Sequence, residues 1–219
     1  KVLEVQTNNL TDLDGLQNAA ELEYLRAEYN NLVSLNGLEN AVKLRDVNLS
    51  SNNLVDVSQL VNLTELKYLY LNYNENLENI SFMAVLVELE RLEMASCNIE
   101  DISGLSGMTE MKYLTLTDNE IEEIAPLAMM EELEQLRISE NDLGDLVDLS
   151  SLGTMSDLTN LYISQCDLKS LSGLETASEL KVLIAWGSDL PGPNMLAPLA
   201  SLSDLEWINL SDSNIDDVT

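Results

Sequence analysis

The chain has 219 residues, 39 acidic and 10 basic side chains, a net charge of −29 and no histidine. Binding nucleic acid takes clustered Lys and Arg to neutralise phosphates, so this balance excludes a nucleic-acid partner and disfavours an anionic membrane surface. No apolar run reaches the roughly 18 residues of a spanning helix, so no membrane insertion is expected.

One frame recurs along the chain, and its clearest copy is Lys112 to Leu133, KYLTLTDNEIEEIAPLAMMEEL. Written xxLxLxxNxLxxLxxLxxLxxL, it is 22 residues long. A fixed period of this size marks stacked turns that touch only their neighbours. Turns are expected to start near residues 1, 23, 45, 67, 90, 112, 134, 159, 181 and 206, as one domain over 1–219.

The first turn opens on a strand core at Leu3–Val5, with no cap visible before it. Cores follow at Leu25–Ala27, Val47–Leu49 and Leu69–Leu71, and the fourth turn carries one extra residue near Glu75 and Asn76 that suggests a bulge. Leu92–Met94 and Leu114–Leu116 lie in regular turns. The turn of Leu136–Ile138 is three residues longer, that of Leu161–Ile163 is regular, and that of Leu183–Ala185 is again three longer. The last of these holds Pro191, Gly192 and Pro193, which have to loop outward because proline cannot donate to a ladder. The tenth copy, around Ile208–Leu210, is truncated at Thr219 with no cap visible. So short a period predicts 3-10 or extended segments opposite the strands, with an α-turn in the two longest turns.

The polar slot after each strand reads Asn8, Asn30, Asn52, Asn74, Cys97, Asn119, Asn141, Cys166, Ser188 and Ser213. Small hydrogen-bonding side chains there can satisfy the backbone of successive turns. Cys97 and Cys166 lie three turns apart, roughly 14 Å at about 4.8 Å per strand. A disulfide needs Cα atoms within about 7 Å, so both are read as ladder residues rather than redox or metal groups.

This pattern resembles the leucine-rich repeat family over essentially the whole chain, and its 22-residue form resembles the bacterial internalin subclass. The resemblance implies an α/β leucine-rich-repeat solenoid, a horseshoe of ten turns with a parallel β-sheet on its concave face. It also implies a bacterial cell-surface or secreted setting and a protein ligand. The family's cap and attachment regions are not recognised here, which keeps a cytoplasmic location as the alternative.

Four positions per turn are expected to face out of the concave sheet: those before and between the two strand leucines, and the two before the ladder residue. All seven tyrosines, both tryptophans and three of the four arginines fall there. Strand propensity accounts for part of this, but Tyr, Trp and Arg are also the residues that anchor protein interfaces. The candidate partner-binding set is Tyr24, Arg26, Tyr29, Tyr68, Tyr70, Tyr73, Arg91, Tyr113, Arg137, Tyr162, Ile184, Trp186 and Trp207, centred on Tyr68, Tyr70, Arg91 and Tyr113. Seven acids against three arginines give these positions a net charge of −4, leaving −25 elsewhere. Val182, Ile184, Trp186 and Trp207 form an apolar end, suited to a partner or to cover by further repeats.

The residue before the last Leu of each turn is acidic in eight of nine turns, from Glu21 through Glu65, Glu88, Glu110, Glu132, Asp157 and Glu179 to Asp204, with Lys43 the exception. Stacking predicts raised pKa values in such a column, and the mixed-sign row two residues on (Lys1, Glu23, Arg45, Lys67, Glu90, Lys112, Glu134 and Lys181) allows cross-turn pairs that relieve some of the repulsion. A solvated flank that serves solubility is weighed against divalent-cation binding. Asn9, Asn48, Asn62, Asn79 and Asn209 open N-x-Ser/Thr triplets, read as chance matches since glycans on Asn48 or Asn209 would obstruct the sheet. With no His, no Gly-x-Ser-x-Gly, no P-loop and no Cys beside a base, no catalytic residue, cofactor or metal ligand is predicted. The expected function is a module that binds a protein, or alternatively a glycan. An intracellular scaffold or regulatory subunit, and a repeat that self-assembles through uncapped ends, are the other readings.

Overall fold

The computed structural model describes residues 1–143, 149–192 and 194–216. Ten three-residue strands, β1 (Val2–Glu4), β2 (Tyr24–Arg26), β3 (Asp46–Asn48), β4 (Tyr68–Tyr70), β5 (Arg91–Glu93), β6 (Tyr113–Thr115), β7 (Gln135–Arg137), β8 (Asn160–Tyr162), β9 (Val182–Ile184) and β10 (Trp207–Asn209), form one parallel sheet in chain order. Equivalent residues pair, so Leu25, Val47, Leu69, Leu92, Leu114, Leu136, Leu161 and Leu183 stack in one row, all fully buried. The centre of each strand points into the coil, and its two neighbours point out because side chains alternate along a strand.

The rest of each turn follows from an apolar spacing of three. In the turn of β6, Ile124, Leu127, Met130 and Leu133 all face inward, and each N–H from Leu127 onward donates to the carbonyl three residues back, at 2.9, 3.0 and 3.1 Å. Three residues per turn is the 3-10 period, so the spacing that fills the core also selects the backbone. Among the described residues, seven such segments line the convex side, from Ser58–Asn62 to Ala197–Leu199. The α-turn expected in the two longest turns is not found among the described residues: the structure has 3-10 helix at Leu149–Thr154 and Ala197–Leu199. Part of the lengthened return after Leu143, and Pro193 of the expected outward loop, lie outside the described residues. In the return of the β2 turn, Gly37 has φ +104° and an added Cβ would sit 2.3 Å from the Leu13 carbonyl oxygen. Only glycine fits both demands.

The polar ladder satisfies the backbone at the far end of each strand. Asn74 donates to the carbonyls of Leu49 and Leu71, at 3.2 and 2.8 Å, and accepts the Leu54 N–H at 3.1 Å. Asn30, Asn52, Asn119 and Asn141 repeat this triad. Cys97 and Cys166 keep the donor half, with Sγ directed at Leu71 and Ala95 and at Ile138 and Ser164 carbonyls. Both thiols are free and buried, and burial pushes each pKa up to about 11. The extra residue near Glu75 is absorbed in a turn in which the Leu77 N–H donates to the Asn74 carbonyl at 2.9 Å, rather than in a bulge.

Candidate binding face

Two outward rows run across the sheet. One passes from Tyr24 through Asp46, Tyr68, Arg91, Tyr113, Gln135, Asn160 and Val182 to Trp207. The other passes from Arg26 through Asn48, Tyr70, Glu93, Thr115, Arg137, Tyr162 and Ile184 to Asn209. Parallel pairing without slippage puts neighbours in a row about 4.8 Å apart, within reach of cross-strand contacts.

These contacts hold the arginines in place. The Arg91 guanidinium lies over the Tyr113 ring, 4.2 Å from its centroid, and donates to Glu93 at 3.2 Å. Arg137 lies over Tyr162 at 4.1 Å. Arg26 grips Asp46 through two hydrogen bonds of 2.8 and 2.7 Å, which raise the guanidinium pKa above its ordinary value. Both cation–π pairs and this fork restrict long side chains that would otherwise be mobile.

The tyrosines are anchored from the flank. Tyr113 donates its hydroxyl to Glu134, which raises the phenol pKa, and Tyr68 donates to Glu90 at 3.3 Å. Glu90 also takes the Lys67 ammonium, and that hydrogen bond holds its carboxyl below the usual range. Burial raises the Tyr70 phenol. Asn72 links the strand ends, donating to Glu93 at 3.0 Å and accepting the Ala95 N–H at 2.8 Å.

The candidate residues therefore fall into three groups. Tyr68, Tyr70, Arg91 and Tyr113 share β4 to β6, joined on β7 and β8 by Arg137 and Tyr162. Tyr24, Arg26 and Tyr29 belong to the β2 turn, with Tyr73 following β4. Ile184 on β9, Trp186 two residues beyond it and Trp207 on β10 form the apolar end, where Trp207 pairs with Val182 and is 63% exposed.

Two features escaped the sequence reading. The residue before every ladder position is left-handed: Thr7, Tyr29, Ser51, Tyr73, Ser96, Asp118, Glu140, Gln165 and Asp212 at φ 52–59°, and Gly187 at 71°. Its N–H extends the inter-turn ladder, as from Tyr29 to the Ser50 carbonyl at 3.0 Å and from Tyr73 to Ala95 at 2.8 Å. No composition signal marks it, because nine of ten occupants carry a Cβ. The particular partners of the Asp46, Glu90, Glu93 and Glu134 carboxylates also escaped, although their offsets of 20 to 23 residues were a usable signal.

The acidic column departs from expectation. Lys43 hydrogen-bonds Glu21 at 2.7 and 2.8 Å, so the Glu21 carboxyl is held below its ordinary value rather than raised. Arg45 reaches Glu65 at 3.0 Å and Lys112 reaches Glu132 at 3.8 Å. At Glu21 the opposite charge of Lys43, 22 residues on, outweighs repulsion along the column. Among the described residues, no group of three or more Cys, Asp or Glu is placed to hold a metal ion, and no helix is long and apolar enough to cross a membrane.

No family model and no curated protein matches the chain. Solved structures do. Internalin C2 from Listeria monocytogenes is 25% identical with a TM-score of 0.77, over 96% of this chain and 80% of that one. A leucine-rich-repeat protein from Leptospira interrogans is 20% identical with a TM-score of 0.88, over 98% of this chain and 55% of that one. PEPR1, solved as PEPR1–AtPEP1, is 26% identical with a TM-score of 0.84, over 98% of this chain and 32% of that one.

Proposed function

We propose that this chain, a leucine-rich-repeat solenoid of internalin-like build, is a binding module that docks a protein partner on its concave face, its ten turns acting as one unit. The observation that carries the reading is the held state of the face: Arg91 lies over Tyr113 and is hydrogen-bonded to Glu93, and Tyr113 is tied to Glu134. Side chains ordered before binding lose little entropy on contact, and Tyr and Arg are the usual anchors of such contacts. PEPR1, solved with AtPEP1, is a structure of this fold with a partner. The likeness to internalin C2 supports a bacterial cell-surface or secreted setting, with an intracellular scaffold as the alternative.

The test is a pull-down from host and bacterial surface extracts with wild type and with Tyr70→Ala, Arg91→Ala and Tyr113→Ala combined. The expected result is a specific protein partner retained by wild type and lost by the triple variant. Retention by both removes the concave face as the docking site, and retention that glycosidase treatment of the extract abolishes assigns a glycan ligand instead.

A further inference from the structure

The chain has four arginines, and three of them are ion-paired within it: Arg26 with Asp46, Arg45 with Glu65 and Arg91 with Glu93. Arg137, on β7, is the fourth. It is exposed, and among the described residues its guanidinium makes no ion pair or hydrogen bond, although the chain carries 39 acidic side chains. The outward positions around it are uncharged: Gln135 and Ser139 on its own turn, Tyr113 and Thr115 on β6, Asn160 and Tyr162 on β8. Glu93, the nearest acid in its row, is two strand spacings away, about 10 Å, and takes Arg91. Glu140, three residues further on, forms no ion pair among the described residues.

What the guanidinium does touch prepares it. Its Cζ lies 4.1 Å from the centroid of the Tyr162 ring, as that of Arg91 lies 4.2 Å from the centroid of Tyr113. Stacking occupies one face of a guanidinium and leaves the N–H donors at its planar edge for an acceptor. In the Arg91 pair the chain itself supplies that acceptor: Glu93, two residues on, accepts from the guanidinium at 3.2 Å. Two residues on from Arg137 stands Ser139, whose hydroxyl accepts the Ser164 N–H at 3.0 Å. Both arginines are stacked on a tyrosine, and Arg137 lacks the carboxylate that Arg91 has.

We infer that Arg137, held on Tyr162, is the subsite for an acidic side chain of the protein partner. The inference rests on the concave docking reading and specifies one group of its ligand. A planar guanidinium matches a carboxylate through two parallel hydrogen bonds, and a guanidinium already held on a ring has less entropy to lose in that pairing. β7 is the seventh of ten strands and the face continues on both sides of it, so a segment lying across the sheet meets Arg137 with a side chain rather than with its end. The chain's charge of −29 repels a partner that is acidic throughout, so the carboxylate is one group in a segment otherwise neutral or basic.

The experiment follows the arginine Nε–H signals of the full chain, nitrogen-labelled, during titration with N-acetyl-glutamate α-amide, whose side-chain carboxylate is free. Parallel titrations use the neutral N-acetyl-glutamine α-amide and N-acetyl-alanine, whose carboxylate is terminal. The glutamate amide is expected to shift the Arg137 signal saturably, about tenfold more than those of the paired Arg26, Arg45 and Arg91, and the glutamine amide is not. Tyr162→Leu is expected to weaken the effect several-fold. A silent Arg137 signal, equal shifts at the paired arginines, equal shifts from the glutamine amide, or an effect unaltered by Tyr162→Leu each overturn the subsite. A larger shift from N-acetyl-alanine overturns the choice of a side chain. The partner pull-down separates this inference from the docking reading. Loss of the partner with the Tyr70, Arg91 and Tyr113 triple variant, but not with Arg137→Gln, keeps the docking face and discards the subsite.

Discussion

On β6, Leu114 is fully buried between Leu92 and Leu136, while Tyr113 and Thr115 on either side of it are half-buried on the concave face. The inward residue is nearly the same in every turn, and the outward pair changes from Tyr–Arg to Asp–Asn to Tyr–Tyr to Arg–Glu between β2 and β5. Stacking forces inward residues to fill one cross-section repeatedly, whereas outward residues face solvent and are free to vary. The difference separates residues fixed by stacking from residues free to vary within three residues of chain.

The largest expected effect on the inward side is from Leu114→Ala, which leaves a cavity in a fully buried row. The loss should be about 2–5 kcal/mol by urea unfolding. Asn74→Ala removes two donor contacts and one acceptor contact at once. It should cost about 2–3 kcal/mol, against about 1 kcal/mol for Cys97→Ala, where only weak thiol donors are lost. A comparable loss in both would mean that the amide acceptor contributes nothing.

Alkali should act through the two inward thiols. Their folded pKa of about 11, raised by burial from 9.0, favours the neutral form, so their contribution is complete below 9.0 and is lost as pH rises towards about 11. Native protein at pH 8 should resist iodoacetamide at both cysteines and react on unfolding, as mass spectrometry can record. Rapid native labelling would show that these turns open readily. The smallest effect belongs to the outward side: the Tyr70, Arg91 and Tyr113 triple variant should unfold within about 1 kcal/mol of wild type despite the loss of three partly exposed contacts, Arg91–Tyr113, Arg91–Glu93 and Tyr113–Glu134. A larger loss would make the face part of the scaffold.

The ladder shows how far the repeat was legible. Cys97 follows a turn that carries one extra residue just after its own ladder residue, Asn74. In regular turns the amide oxygen accepts the N–H two residues past the previous ladder position, as at Leu32 and Leu54. The extra residue after Asn74 redirects that N–H, at Leu77, to the Asn74 carbonyl. An acceptor on the next turn is then unnecessary, and a thiol suffices. The Cys97 substitution was visible in the sequence, but its reason lay in a backbone hydrogen bond.

The sequence by itself determined the coil, its ten strands, the inward leucines and the polar ladder, because each is a single spacing repeated and one spacing has one stacking solution. The 3-10 segments follow from the apolar interval of three. Only the tertiary structure decided that Arg91 lies on Tyr113, that Arg26 is held by Asp46, that the Glu28 Oε2 has no hydrogen bond and that the residue before each ladder position turns left-handed. These depend on side chains 20 to 23 residues apart meeting across about 4.8 Å of sheet, where each rotamer is chosen by the neighbouring turn rather than by its own.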